Sequence, residues 1–354
     1  MLVGLAAMNE SEPPIAEGPQ ASVVVVPTDA AKPPSSTRGR VLLVVRIVVT
    51  VAAFGWVLWR NDLRLVFDAL LSISPLALGG ALALMMANLV VGAVRWRVML
   101  AAYGAKHVPP LRELVVLNYI GFFYNTWLPG GVGGDVVRAV ASRRAFGDEG
   151  TTGAAAVVFV DRVLGLTGLF LLVAVTALIW PLAGASSSLV LLGSVGGIVV
   201  SVLAVLAIAM SRRIAPHLPK RLGEIAARVP PIVARGPFFI ALLLSLVTQS
   251  VVASSGHLIM QALAPGVHLE SSLVIVPLAM ATAFLPFLVG GTGAREEVFA
   301  QLYGGVGVAA ETAVAASLLV YVVQLVVGLL GAVLPVPSVE GATNEKAASP
   351  DPEG

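Results

Sequence analysis

Two stretches of the chain repeat one pattern of chemically capable residues. Residues 128–138 read Leu-Pro-Gly-Gly-Val-Gly-Gly-Asp-Val-Val-Arg, and residues 285–295 read Leu-Pro-Phe-Leu-Val-Gly-Gly-Thr-Gly-Ala-Arg. Both fit Leu-Pro-x-x-Val-Gly-Gly-x-x-x-Arg, six shared positions at a constant offset of 157. Proline removes an N–H and ends a helix, the expected task of Pro129 and Pro286. The pairs Gly133-Gly134 and Gly290-Gly291 permit a tight reversal and let backbone N–H groups face a ligand. A fresh helix is then expected near Asp135 or Thr292, with Arg138 or Arg295 in its first turn. Helix N-terminus, N–H groups and arginine together suit an anion, phosphate above all. The plainer alternative is a Gly-rich turn whose arginine snorkels to lipid headgroups. It accounts for one copy more readily than for two.

Asp161-Arg162 adds charge at depth. The pair lies about ten residues inside an apolar run, ~15 Å from its start, where an ionised side chain costs ~2.5–3.5 kcal/mol unless it faces protein or water. Arg162 is read as a third phosphate ligand. Asp161 is either a counter-ion or gating group, beside Asp135 and Glu296, or a structural partner of an arginine on another helix such as Arg138. Adjacent helical residues point ~100° apart, so Asp161 and Arg162 need different partners. Glu296 and Glu297 also suit a helix N-terminus through the dipole. Gln249, His257 and Gln261 share one helical face, and Asn118, Tyr119 and Asn125 precede the first motif; interhelical hydrogen bonding is their default use. Trp96, between Arg95 and Arg97, reads as an interfacial anchor.

The elements that must carry these groups are membrane helices. Of 354 residues 57% are apolar and 12% charged, with mean hydropathy +0.92, whereas soluble domains carry roughly 25% charged residues. Apolar runs of spanning length, ~20 residues, recur at 41–59, 76–94, 152–180, 187–210, 237–263 and 310–334. Two interrupted helices, 113–128 and 273–288, lead into the two motifs. If these two dip in and return, segments 38–46, 95–112, 139–150 and 211–236 share one side with fifteen basic residues, against two in 60–75, 181–186 and 264–272. The positive-inside rule makes the first set cytoplasmic. A complete crossing by 113–128 would instead move the six basic residues of 211–236 outside. Three crossings separate the motifs, so one enters from each face, an inverted repeat. Loop 211–236 is expected to hold a short amphipathic surface helix. Residues 1–40 and 336–354 read as disordered cytoplasmic tails. The first lacks a basic n-region, so it is no signal peptide, and Met8 is an alternative start.

Several classes drop out. Residues 41–335 hold 18 basic and 12 acidic side chains, so the pI of 9.1 comes from membrane loops and argues for no nucleic-acid partner. There is no cysteine, which removes disulfides, thiolate chemistry and Cys-ligated zinc. His107, His217, His257 and His268 show no ligand spacing. No metal or other cofactor is expected.

The stretch from Asn125 to Arg138, the later Asp161-Arg162-Val-Leu-Gly-Leu, and Pro286 through Glu296 resemble the flippase-like membrane family. That family includes the transmembrane region of lysylphosphatidylglycerol synthases and proteins of unknown function often found near glycosyltransferases. The resemblance covers roughly residues 40–335. It implies movement of a lipid with an anionic or modified headgroup between leaflets, or support of enzymes that make such lipids. In the lysyl-lipid synthases an aminoacyl-transferring domain follows the membrane region; here a polar tail of 19 residues follows Pro335, and lysyl transfer is not expected.

The expectation is therefore an all-α integral protein of the inner membrane, six spans plus two re-entrant hairpins, both termini cytoplasmic. It would move a phospholipid or polyprenyl-phosphate-linked lipid. Rival readings are a non-transporting partner of a glycosyltransferase or other envelope-lipid enzyme, and a membrane transferase acting at Asp135 and Asp161, which no nucleotide motif or catalytic dyad supports. Impermeant thiol labelling of intact cells checks the topology: a cysteine at Gly266 should react and one at Lys220 should not. The opposite pattern sinks the assignment.

Overall fold

A computed structural model of the chain describes residues 63–106, 108–127, 132–180, 186–284 and 291–335, with isolated helical positions between 44 and 59. The tails 1–40 and 336–354, most of the expected 41–59 span, and the motif residues Pro129, Pro286 and Gly290 lie outside the described residues.

The described chain is helical, with no strand among the described residues. Its α-helices are α1 (Leu63–Leu71), α2 (Pro75–Ala102), α3 (Leu111–Trp127), α4 (Gly133–Ser142), α5 (Gly150–Ile179), α6 (Ser186–Ala209), α7 (Lys220–Ala227), α8 (Arg235–Leu263), α9 (Leu269–Ala281), α10 (Ala294–Gly304) and α11 (Ala310–Val333), with one extra turn at Ser211–Ile214. Five of these, α2, α5, α6, α8 and α11, are long and apolar enough to cross a membrane. Helix α6 turns Leu192, Val199, Val200, Leu203 and Leu206 outward, a surface that water would not tolerate but lipid tails would.

Helices α2 and α8 form an antiparallel spine. Gly80 meets Leu258, Ser255 Oγ donates to the Ala81 carbonyl, Arg95 reaches Ser245, and the Ala102 carbonyl accepts from the N–H groups of Val233 and Ala234. Small residues (Ala81, Ala93, Ala241, Ala253), all fully buried, allow this close approach. Toward one end of the spine, Ala81, Met85 and Leu89 pack with Ile275 of α9, Phe299 of α10 and Val320 of α11. Toward the other, Trp96, Met99 and Leu100 pack with Leu114 of α3, Ala139 of α4 and Val157 of α5.

Each motif follows a helix that doubles back. After α3 the chain returns along α4, and the Lys106 N–H donates to the Ala145 carbonyl, so residues 106 and 145 end side by side. After α9 it returns along α10, where Tyr303 hydroxyl donates to Ser272 Oγ at 2.9 Å. Gly134 makes the first return possible: a Cβ there would lie 1.9 Å from the Gly121 carbonyl oxygen.

Three elements differ from expectation. Helix α2 runs eight residues past 94, through Arg95 and Trp96, because both side chains find partners inside the bundle. Helix α9 begins four residues before 273. Within the expected outer loop 60–75, Val66 docks α1 against Val314 and Ala315 of α11. The short helix in 211–236 is α7, where expected.

Gly134→Ala should force α3 and α4 apart and lower the thermal midpoint of detergent-purified protein, by ~1–3 kcal/mol or more. Gly79→Ala, where a Cβ meets nothing within 4 Å, should leave it unchanged or raise it.

Candidate functional site

The charged residues of the first motif meet those of α5 in one cluster. On α4, Asp135 and Arg138 are three residues apart and share a face. On α5, Asp161 and Arg162 diverge, and each takes a different rung: Arg138 Nη2 donates to Asp161 Oδ2 at 2.8 Å, and Arg162 Nε pairs with Asp135 Oδ2. Helix α2 supplies a third arginine. Arg95 Nη2 donates to Asp161 Oδ2 at 3.1 Å and Nη1 to Ser245 Oγ at 3.2 Å. Its Nε lies 3.0 Å from Asp161 Oδ1, near enough for Coulombic attraction but poorly aligned for a hydrogen bond. The structural pairing of Asp161 with Arg138 weighed from sequence is thus present, with Arg95 added.

Exposure is graded across the cluster. The Asp161 side chain is 1% exposed, Arg138 11% and Arg95 14%, whereas Asp135 is 17% and Arg162 30% exposed. The carboxylate at the bottom is sealed and the Arg162–Asp135 rung forms the open lip. Arg138 lies over Trp96, its Cζ 4.2 Å from the ring centroid, a cation–π contact. Trp96 is buried and serves this cluster; it is not the interfacial anchor its neighbours suggested. Arg138 Nε is buried with no hydrogen-bond partner among the described residues.

Two sequence expectations need correction here. Helix α4 starts at Gly133, so Arg138 sits in its second turn. The Gly134 N–H, expected to face a ligand, donates to Asn125 Oδ1 at 2.8 Å; Gly134 works by allowing contact with Gly121, and Gly133 opens the helix.

The second motif builds a different object. Helix α10 starts at Ala294, placing Arg295 in its first turn. Gly291 and Gly293 have φ of 77° and 89°, left-handed values that a side chain resists, and a Cβ on Gly291 would fall 2.5 Å from Thr282 Oγ1. Arg295 Nε donates to Glu296 Oε1 at 3.0 Å and to Ser317 Oγ at 3.1 Å, above the Tyr321 ring. Glu296 Oε2 accepts from the Gly293 N–H at 2.6 Å. Arg295 is 2% exposed and Glu296 0%, so this arrangement encloses Arg295 beside its carboxylate. Glu297 faces Gln301 instead. Among the described residues no group of acidic or histidine side chains is arranged to hold a metal.

The remaining polar residues hold helices together. Asn118 Nδ2 donates to the Leu89 carbonyl, Tyr119 hydroxyl to the Met86 carbonyl, Gln249 Nε2 to the Gly165 carbonyl, and His257 Nδ1 bonds with Ser272 Oγ; Gln261 is exposed.

Residues 43–331 match the family model described as Lysylphosphatidylglycerol synthase TM region. The chain belongs to that family. It is a multi-pass membrane protein of a family related to lipid metabolism or transport. A search of curated proteins finds no match to it. Arg95 is the site residue that sequence reasoning missed in this family member. Its signal was available: Val98-Met99-Leu100 continue the apolar run beyond it.

Asp161→Asn removes the negative charge that two buried arginines share and should cost ~3–5 kcal/mol. Arg162→Gln, at the exposed lip, should cost at most ~1 kcal/mol. Thermal denaturation of the purified variants checks the contrast, and adding Arg138→Gln to Asp161→Asn should recover part of the loss.

Proposed function

We propose that this protein translocates a lipid with an anionic headgroup, a phospholipid or a polyprenyl-phosphate-linked lipid, between leaflets. One observation carries the reading: among the described residues, three arginines, Arg95, Arg138 and Arg162, gather on two carboxylates, Asp135 and Asp161. An uncompensated charge in a low-dielectric bundle costs several kcal/mol, and an anion relieves it. A phosphodiester carries the one negative charge that balances this surplus. The second cluster, Arg295 with Glu296, is already neutral, and its role is to hold the fold.

In this mechanism the headgroup enters at the lip, and its phosphate takes up Arg162 and Arg138 as Asp135 yields its place. Asp161 keeps Arg138 and Arg95 aimed inward throughout. The acyl or prenyl tails stay in lipid beside the outward-facing apolar helices. Charge-assisted bonds hold the phosphate, and the return of Asp135 to Arg162 releases it.

The membrane arrangement belongs to the same proposal. Six spans, with 41–59 as the first, and two re-entrant hairpins of opposite entry direction are supported by the doubling back at 106/145 and 272/303 and by the hairpins' placement at opposite ends of the α2–α8 spine. The inner membrane, cytoplasmic termini, the tail–membrane–tail layout, the absence of catalysis and a possible glycosyltransferase or lipid-modifying partner complete the reading.

The test uses proteoliposomes carrying fluorescent phosphatidylglycerol. Arg138→Gln should remain folded, since Asp161 keeps Arg95, yet lose ~10–100-fold in translocation, the equivalent of a charged hydrogen bond of ~1.5–3 kcal/mol. Wild-type protein that moves no lipid but co-purifies with an envelope-lipid enzyme would favour the non-transporting partner.

A further inference from the structure

A second basic site lies away from the buried cluster. At the end of α2 that carries Arg95, the α2–α3 loop, the turn after α4 and the segment leading to α8 enclose a cavity of about 420 Å³. Among the described residues its cationic lining residues are Lys106, Arg212 and Arg228, and no described lining residue is a carboxylate. Tyr103 and Phe146, both buried, form its apolar wall. The three basic residues are exposed and border one cavity.

The cavity is built by tertiary bonds. The Lys106 N–H is held by the Ala145 carbonyl, and Val233 and Ala234 N–H groups by the Ala102 carbonyl. Arg212 Nε donates to the Val229 carbonyl at 2.7 Å, which orients its guanidinium. Charges that only set topology need not converge, whereas these come from three chain segments and border one concavity of the size that small ligands occupy.

We propose that this cavity binds a phosphate ester, held by Lys106, Arg212 and Arg228. Lys106 lies eleven residues beyond Arg95, and the part of α2 between Arg95 and Ala102 spans ~10 Å. On the translocation reading, the cavity is where a headgroup docks before reaching the buried arginines. The binding site itself does not require that reading.

The experiment compares wild type, Lys106→Ala/Arg228→Ala and Lys106→Arg in detergent and in nanodiscs. One arm titrates inorganic phosphate and glycerol 3-phosphate by thermal shift. The other measures phosphatidylglycerol against phosphatidylcholine retained per protein by mass spectrometry. The double variant should weaken phosphate-ester binding about tenfold or more in at least one arm, with Lys106→Arg close to wild type. Loss in the lipid arm alone identifies a headgroup site, and loss in the soluble arm identifies a free phosphate compound. If the double variant loses soluble phosphate-ester binding while wild type moves no lipid in proteoliposomes, the translocation reading fails and the cavity stands. Unchanged binding by the double variant in both arms overturns the proposal, as does a Lys106→Arg protein as defective as the double variant.

Discussion

A carboxylate eleven residues into an apolar helix, roughly 16 Å from its start, is tolerable only if the protein brings it cations. Asp161 receives two, from α2 and α4, and much of the surrounding architecture follows from delivering them. Helix α2 must continue past its apolar stretch to carry Arg95 alongside. The chain after α3 must reverse so that α4 can bring Arg138 to the same carboxylate. That reversal requires two backbones to touch at Gly121 and Gly134, and at Gly134 no side chain fits. Ser245 on α8 then joins through Arg95, so four helices converge on one acidic group.

The two motif copies show how a repeat can keep its sequence and change its task. At the shared offset, Arg138 and Arg295 are equivalent, yet α4 starts five residues before its arginine and α10 only one. The shift has a local cause. In the second copy Gly291 and Gly293 adopt left-handed conformations, which prolong the turn and delay the helix. Arg295 then meets the carboxylate next to it in sequence, Glu296, and the pair closes on itself with Ser317. In the first copy no acidic residue follows Arg138, so it must reach across to α5. Closure makes the second site neutral and buried; reaching across makes the first a shared, partly open cluster.

How much of this the sequence displayed depends on the range of each interaction. Long apolar helices are local, and 152–180, 187–210, 237–263 and 310–334 were legible to within about two residues of the observed ends. The fresh helix after each motif was legible too, expected near Asp135 and Thr292 and found from Gly133 and Ala294. The partner of Asp161 was half legible: its depth demanded a cation, and Arg138 was named, but Arg95 was assigned to a cytoplasmic segment. Basic residues near a span's end are scored as topology signals, and only the tertiary placement of Asp161 reveals that one of them points inward. Trp96 was misread for the same reason, since an aromatic residue between two arginines looks interfacial until the helix is seen to continue. Helix α1 is too short to stand out, and its docking on α11 is a long-range fact.

The charge count then limits what the first site can accept. Had Arg95 been absent, the two rungs Arg138–Asp161 and Arg162–Asp135 would be neutral as a set, much like Arg295–Glu296, and burial would favour keeping them shut. With Arg95 sharing Asp161, Arg138 is only partly neutralised, and its Nε has no hydrogen-bond partner among the described residues. That surplus lies on the two arginines that share Asp161, while the Arg162–Asp135 rung, where Arg162 is 30% exposed, forms the opening above them. A singly charged phosphodiester matches that surplus and that opening. On the proposed reading, a second negative charge would meet Asp135 and Asp161 at close range with no further cation among the described residues of the cluster to offset it, so the electrostatics favour one phosphate group held briefly over a multiply charged ligand held tightly. Weak, single-charge capture suits a headgroup that must be released as well as bound.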